Sequence, residues 1–218
     1  MKKTRILLVD DHELVREGLR TVLAARPDWE ICGEAVTGRE AVQKARDLHP
    51  DVAVVDFSLP ELNGLDATRQ IRRDAPNTEV LILTMHSSER LAHQALMAGA
   101  RGFLLKSDAK RHLISAIEAL TQHQAFLTPS VSVMVLERYL NPDRSAGSST
   151  DHVQSLTPRE REIVQLIAEG RTTKEVATTL GVSEKTIEAH RSNILRKLNL
   201  HSAVDLVRYA IRNHLIQP

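Results

Sequence analysis

The chain has 218 residues, 42% of them apolar and 26% charged, and a formal net charge of +1. That apolar content supports real cores and excludes wholesale disorder, while the length suits one large or two small domains. Cys32 is the only cysteine, which excludes an internal disulfide and a cysteine-rich metal site; beside Ile31 and Val36 it reads as a small core residue of a strand.

The opening MKKTRILLVDDHE is basic, but its apolar run ends at Val9 before two aspartates, too short for a signal peptide. No stretch approaches the roughly 18 apolar residues of a membrane span. A soluble, cytoplasmic protein is expected, with no membrane partner.

Short apolar runs alternate with longer amphipathic ones through residue 125. Strands are predicted at Arg5–Val9, Glu30–Val36, Val52–Asp56, Val80–Thr84 and Gly102–Leu105. Helices are predicted at Leu14–Ala25, Arg39–Leu48, Leu65–Asp74, Glu89–Ala98 and Arg111–Gln122. In the first helix Leu14, Val15, Leu19, Val22 and Leu23 recur at helical spacing. Five β–α units in a row predict an α/β domain, a doubly wound five-stranded parallel sheet with helices on both faces.

Residues 129–140 carry one more helical pattern, and 141–155, rich in Ser, Pro, Gly and Asp, reads as a flexible linker. The stretch LTPRERE then opens a second domain. Thr157 suits an N-cap, Pro158 the first helical position, and Glu160 completes a capping box. Short helical patterns follow near 158–168, 173–180, 184–197 and 202–213, so the tail is small and all-α. The division expected is 1–125, a linking segment 126–154, and 155–218. Charge divides mildly along it: residues 1–150 hold 19 Lys and Arg against 20 Asp and Glu, and residues 151–218 hold 10 against 8. A tilt from −1 to +2 does not by itself indicate nucleic-acid binding.

The stretch AVVDFSLPELNG ends an apolar strand on Asp56. A carboxylate buried there without a partner would cost several kcal/mol. In an open parallel sheet, ligands bind beyond the carboxyl ends of the strands, near the point where strand order reverses. Those ends carry Asp10 and Asp11, Asp56, Thr84 and Lys106. Singly, each has an ordinary reading as a helix cap, a strand threonine or a surface lysine. Together, three carboxylates repel and demand a cation, for which Mg²⁺ is suited. Lys106 and Thr84 then face the oxygens of a phosphoryl group.

The segments ILLVDDHELVREGL, DVAVVDFSLPELNGLDATRQIR, VLILTMHS and GARGFLLKSDAKRHLISAI resemble the receiver domain of bacterial two-component response regulators, over residues 4–122. The resemblance implies a flavodoxin-like sheet of order 2-1-3-4-5, with Asp56 as phosphoacceptor from a phosphohistidine on a sensor histidine kinase. It implies that Asp11 binds Mg²⁺ directly, Asp10 through water and Ser58 through its backbone carbonyl. Lys106 and Thr84 would each hold a phosphoryl oxygen. Phe103 stands at the switch position where many relatives have Tyr, so its coupling rests on packing. Phosphatases with an aspartyl-phosphate intermediate place a second Asp two residues after the nucleophile. Ser58 cannot supply that acid, which favours a phosphorylated switch over an enzyme.

In the tail, EVATTLGVSEKTIEAHRSNILRKL reads helix, turn, helix. Val176, Ala177 and Leu180 form one apolar face, Gly181 breaks the chain, and Ser183 caps the second helix. There Ile187, Ile194, Leu195 and Leu198 face inward, leaving Lys185, His190, Arg191, Arg196 and Lys197 mostly outward, a helix that fits a major groove. Residues 155–212 are similar to the LuxR-type helix-turn-helix, and the whole chain resembles a NarL/FixJ-type response regulator. That resemblance implies phosphate contacts from Lys185, Thr186, His190 and Lys197, with Glu188, Ala189 and Ser192 at the bases. Helix 202–213, with Val204, Leu206, Val207 and Ile211, resembles the family's dimerisation helix. The reading is a transcription factor in which phosphorylation releases the output domain and promotes a homodimer on paired promoter half-sites. An adaptor whose tail binds protein instead is the alternative.

Overall fold

The computed structural model describes residues 3–86, 88–140 and 156–216. It contains two compact units, one built on a sheet and one on the last four helices. The predicted linker 141–155 lies outside the described residues. No described helix is long and apolar enough to cross a membrane.

The first unit runs β1 (Thr4–Val9), α1 (Glu13–Leu23), β2 (Trp29–Ala35), α2 (Gly38–Leu48), β3 (Val52–Asp56), α3 (Gly64–Asp74), β4 (Glu79–Thr84), α4 (Glu89–Met97), β5 (Gly102–Leu105), a 3₁₀ turn (Lys106–Asp108), α5 (Ala109–Thr121), β6 (Phe126–Leu127) and α6 (Pro129–Leu140). All strand pairs are parallel, in the order β2-β1-β3-β4-β5-β6. β3 and β4 are buried along their whole length, as parallel strands covered on both faces must be. Side chains alternate across the sheet. Ile6, Leu8, Val52, Val54, Leu81, Leu83 and Leu104 form one core with Leu19 and Leu23 of α1 and Leu113, Ile117 and Leu120 of α5. The intervening Leu7, Val9, Ala53, Val55, Ile82 and Phe103 are equally buried and point to the opposite face, covered by α2, α3 and α4.

The sheet differs from expectation by β6, whose Phe126 and Leu127 pair with Gly102 and Phe103. Two residues carry no alternation for a sequence pattern to register. α5 also begins two residues before the predicted Arg111, because the 3₁₀ turn at Lys106–Asp108 leads straight into it.

The second unit comprises α7 (Pro158–Ala168), α8 (Thr173–Leu180), α9 (Glu184–Leu198) and α10 (Ala203–Arg212). Thr157 and Glu160 form the predicted capping box, and Thr172 with Glu175 forms a second. Gly181, at φ 66°, ends α8 in the left-handed region where glycine has no Cβ penalty. Ser183 accepts from the Thr186 amide to start α9. Ile163, Val164, Val176, Leu180, Ile187, Ile194, Leu198, Leu206 and Tyr209 form the core. Leu195, predicted to face inward, is partly buried against it.

Candidate functional site

Strand order sets the location of the acidic site. β1 lies between β2 and β3, so the connections leaving β1 and β3 diverge to opposite sides and leave a crevice at their carboxyl ends. Asp10 follows β1 and Asp56 ends β3, and both are almost fully buried. Asp10, Asp11, His12 and Asp56 each bring a ligand atom within 4.8 Å of the others. The local chain fixes Asp10 twice. Its Oδ1 accepts from the His12 amide at 2.9 Å, and its backbone carbonyl accepts from Arg16 of α1 at 2.8 Å.

Lys106, at the end of β5, reaches into this crevice. Its Nζ is 2.7 Å from Asp10 Oδ2 and 3.1 Å from Asp56 Oδ1. The first contact is an ion pair off hydrogen-bond alignment, so Asp10 Oδ2 gains charge compensation without a directed bond. Asp56 Oδ2 is buried with no hydrogen-bond partner among the described residues. Native proteins seldom leave such an atom unsatisfied without a functional reason.

The electrostatics follow from that imbalance. Burial is the main force raising the Asp56 pKa; Lys106 opposes it, Asp10 and Asp11 reinforce it, and the outcome is about 6 against an ordinary 3.8. For Lys106, burial works to lower the pKa, but the Asp56 and Asp10 carboxylates outweigh it and the net shift is upward. One ammonium therefore serves a crowd of acids. The donor set, carboxylate oxygens with one buried and unpartnered, fits a hard divalent cation such as Mg²⁺.

The remaining predicted positions sit around this centre. Thr84 ends β4, is buried, and accepts from the His86 amide at 3.1 Å. Phe103 is fully buried on β5, paired with Ile82 and Leu127, three residues before Lys106. Ser58 lies two residues beyond Asp56 and is half-buried. Gly64 closes the loop by donating its amide to the Phe57 carbonyl at 2.9 Å. A Cβ at Gly64 would stand 2.2 Å from the Asp56 carbonyl oxygen, so only glycine fits. His12 was absent from the predicted set. Its Nδ1 is 2.8 Å from Asp11 Oδ1, and its position directly after two aspartates was the available signal.

In the second unit, α9 exposes Lys185, Glu188, Ala189, Ser192, Arg196 and Lys197, with Thr186, His190 and Arg191 half-buried. The Thr186 hydroxyl is 2.8 Å from the Ser183 hydroxyl at the cap. Lys197, although exposed, is ion-paired: its Nζ is 2.8 Å from Glu160 Oε2. On α10, Leu206, Tyr209 and Ala210 face the core, while Val204 is exposed and Val207 and Ile211 are half-buried along the opposite side.

Comparison with known proteins gives a family for each unit. Residues 6–118 match the response regulator receiver domain, and residues 154–210 match the bacterial regulatory proteins of the luxR family. The chain is 38% identical to the oxygen regulatory protein NreC of Staphylococcus carnosus and 39% identical to the transcriptional regulatory protein LiaR of Bacillus subtilis. Each match covers 97% of this chain and 99% of the relative. Among solved structures, the two-component response regulator RcsB in its DNA complex aligns over 95% of this chain and 97% of its own, at 26% identity and a TM-score of 0.58. A receiver domain followed by a LuxR-type domain accounts for these matches, and this chain belongs to the two-component response regulators of the NarL/FixJ type.

Proposed function

We propose that Asp56 is the phosphoacceptor of this response regulator and that its phosphoryl group governs DNA binding by α7–α10. The observation that carries the reading is the Asp56 carboxylate itself, buried at a strand end with Oδ2 unpartnered among the described residues and Oδ1 3.1 Å from Lys106 Nζ. An Asp56 oxygen attacks the phosphorus of a phosphohistidine on a sensor kinase. The O–P bond forms, the P–N bond breaks, and the electron pair leaves with the histidine nitrogen. The chain contributes mainly in-line positioning and charge neutralisation.

Asp10, Asp11, Asp56 and the Ser58 carbonyl would hold Mg²⁺, which when bound supplies positive charge beside the phosphoryl oxygens. Lys106 holds one phosphoryl oxygen and Thr84 donates its hydroxyl to another. Phosphorylation adds nearly two negative charges beside them. The Thr84 movement that follows is transmitted to Phe103 by packing. Ser58 offers no general acid for rapid hydrolysis, so the acyl phosphate persists as a signal and the chain does not act as a turnover enzyme.

On the output side, Lys185, Thr186, His190 and Arg191 face phosphates, and Glu188, Ala189 and Ser192 face base edges in the major groove. The likeness to RcsB, solved with DNA, and the basic outer side of α9 support this assignment. The outward stripe Val204, Val207 and Ile211 on α10 supports a homodimer on half-sites about one helical turn apart. The protein acts in the cytoplasm, where kinase and DNA are both accessible.

Footprinting on genomic promoter fragments tests the coupling. Acetyl phosphate with Mg²⁺ is expected to strengthen protection by the full chain, and Asp56→Ala is expected to lose that gain. Protection by neither form on any fragment would contradict the output half and favour a protein-binding tail.

A further inference from the structure

The sequence pattern groups Lys197 with the other cations of the recognition helix, and the family resemblance implies a phosphate contact for it. The structure gives its ammonium another occupation. Lys197 sits in the last turn of α9, and its Nζ meets Glu160 Oε2 at 2.8 Å, across 37 residues of sequence. The same Oε2 accepts the Thr157 amide at 2.7 Å, while the Glu160 amide donates to Thr157 Oγ1 at 3.2 Å. Glu160 is thus held by the capping box that starts α7, and it cannot swing away without undoing that box. Its side chain is 12% exposed and that of Lys197 38% exposed. Burial works against the charge of Glu160, but Lys197 and the Thr157 amide hold its pKa below the usual range, so the carboxylate is ionised at neutral pH. Arg196, the neighbouring cation, donates to the neutral Asn193 amide oxygen at 3.0 Å.

We infer that Glu160 is a positioning residue that holds Lys197 as an internal ion pair, removing one cation from the phosphate-binding side of α9 and lowering its sequence-independent affinity for DNA. This deepens the DNA-binding reading above and rests on it. The physical reason is charge compensation. A cation already paired with a carboxylate neutralises no phosphate and releases no counterion, so it adds nothing to the salt-dependent part of binding. Non-specific affinity is almost entirely that part, and the ratio of specific to non-specific binding sets biological selectivity. The pair also ties the end of α9 to the start of α7, which fixes the angle at which the recognition helix is presented.

Glu160→Gln is a suitable probe because glutamine serves equally in a capping box and removes only the charge. The full chain, treated with acetyl phosphate and Mg²⁺, is titrated against a duplex of arbitrary sequence over a range of salt concentrations. The slope of log K against log salt changes by about 0.9 per phosphate neutralised. Glu160→Gln is expected to bind more tightly, with a slope steeper by about 0.9. Lys197→Met alone should leave the slope unchanged, and adding it to Glu160→Gln should cancel the gain. A purely structural role for Glu160 would not move the salt slope in this non-additive way. The inference is overturned if Glu160→Gln, with unchanged far-ultraviolet circular dichroism, binds with the wild-type slope or more weakly. It is equally overturned if Lys197→Met alone loses one phosphate's worth of slope, since Lys197 then contacts DNA despite Glu160. Binding by none of the proteins, at any salt, would overturn the DNA reading itself and this inference with it.

Discussion

Lys106 Nζ lies 3.1 Å from Asp56 Oδ1, joining the ends of two strands separated in the sheet by β4. This contact helps make a buried carboxylate tolerable, while the second oxygen, Oδ2, has no hydrogen-bond partner among the described residues. These two features are the ones on which the proposed cation and phosphoryl site rests.

One consequence is a pH dependence of stability. The Asp56 pKa is 3.8 ordinarily and about 6 in the folded chain, so the folded state binds this proton more tightly than the unfolded state. Its stabilising contribution is complete below pH 3.8 and is lost as pH rises through about 6. A shift of this size corresponds to about 3 kcal/mol. Metal-free Asp56→Asn is expected to melt higher than metal-free wild type at pH 7, and the difference should shrink towards pH 4. Mg²⁺ is expected to raise the wild-type melting temperature at pH 7 far more than that of the variant. Calorimetry with and without chelator checks both.

Removing the ammonium should have the opposite effect. Lys106→Met strands Asp10 and Asp56 together in a buried crevice. Breaking one partner of a buried ion pair costs about 3 kcal/mol. Denaturant unfolding at pH 7 is expected to show a loss of that order, mostly recovered by saturating Mg²⁺.

Gly64 makes a steric prediction. An alanine Cβ there would stand 2.2 Å from the Asp56 carbonyl oxygen and 2.9 Å from the Phe57 Cα, both backbone atoms that cannot rotate away. Gly64→Ala is expected to destabilise the chain by about 3 kcal/mol or more and to weaken Mg²⁺ binding by displacing the end of β3. Unfolding and metal titration measure these together.

Gly18 predicts a gain. It lies mid-way along α1, exposed, beside an apolar groove shared with Val15, Val22 and Lys110, and an added Cβ meets nothing within 4 Å. Gly18→Ala should stabilise the chain by about 0.5–1 kcal/mol, the helix cost of glycine. Thermal unfolding checks it.

The legible features of this protein were those written locally. Residues 52–55 of β3 and 80–83 of β4 are apolar runs, each closed by a polar residue, Asp56 and Thr84, so strand and candidate site were visible in one pattern. Thr157 and Glu160 were readable as a cap because capping operates over three residues. β6 was not readable, since Phe126 and Leu127 become a strand only by pairing with Gly102 and Phe103. The Asn63-Gly64 turn was visible, but the pressure of Gly64 against the Asp56 backbone belongs to the folded loop. Lys197 looked like its neighbours on α9 because nothing local announces Glu160 as its partner. The Thr172–Glu175 box obeys the same rule as Thr157–Glu160 and was there to be read.

The most direct measurement locates the phosphoryl group. The full chain is incubated with acetyl phosphate and Mg²⁺, borohydride-trapped, digested, and sequenced by mass spectrometry. Trapping is expected at Asp56 alone, dependent on Mg²⁺ and absent from Asp56→Asn. Trapping at another residue of the wild type, or undiminished phosphorylation of Asp56→Asn, would contradict the role assigned to Asp56.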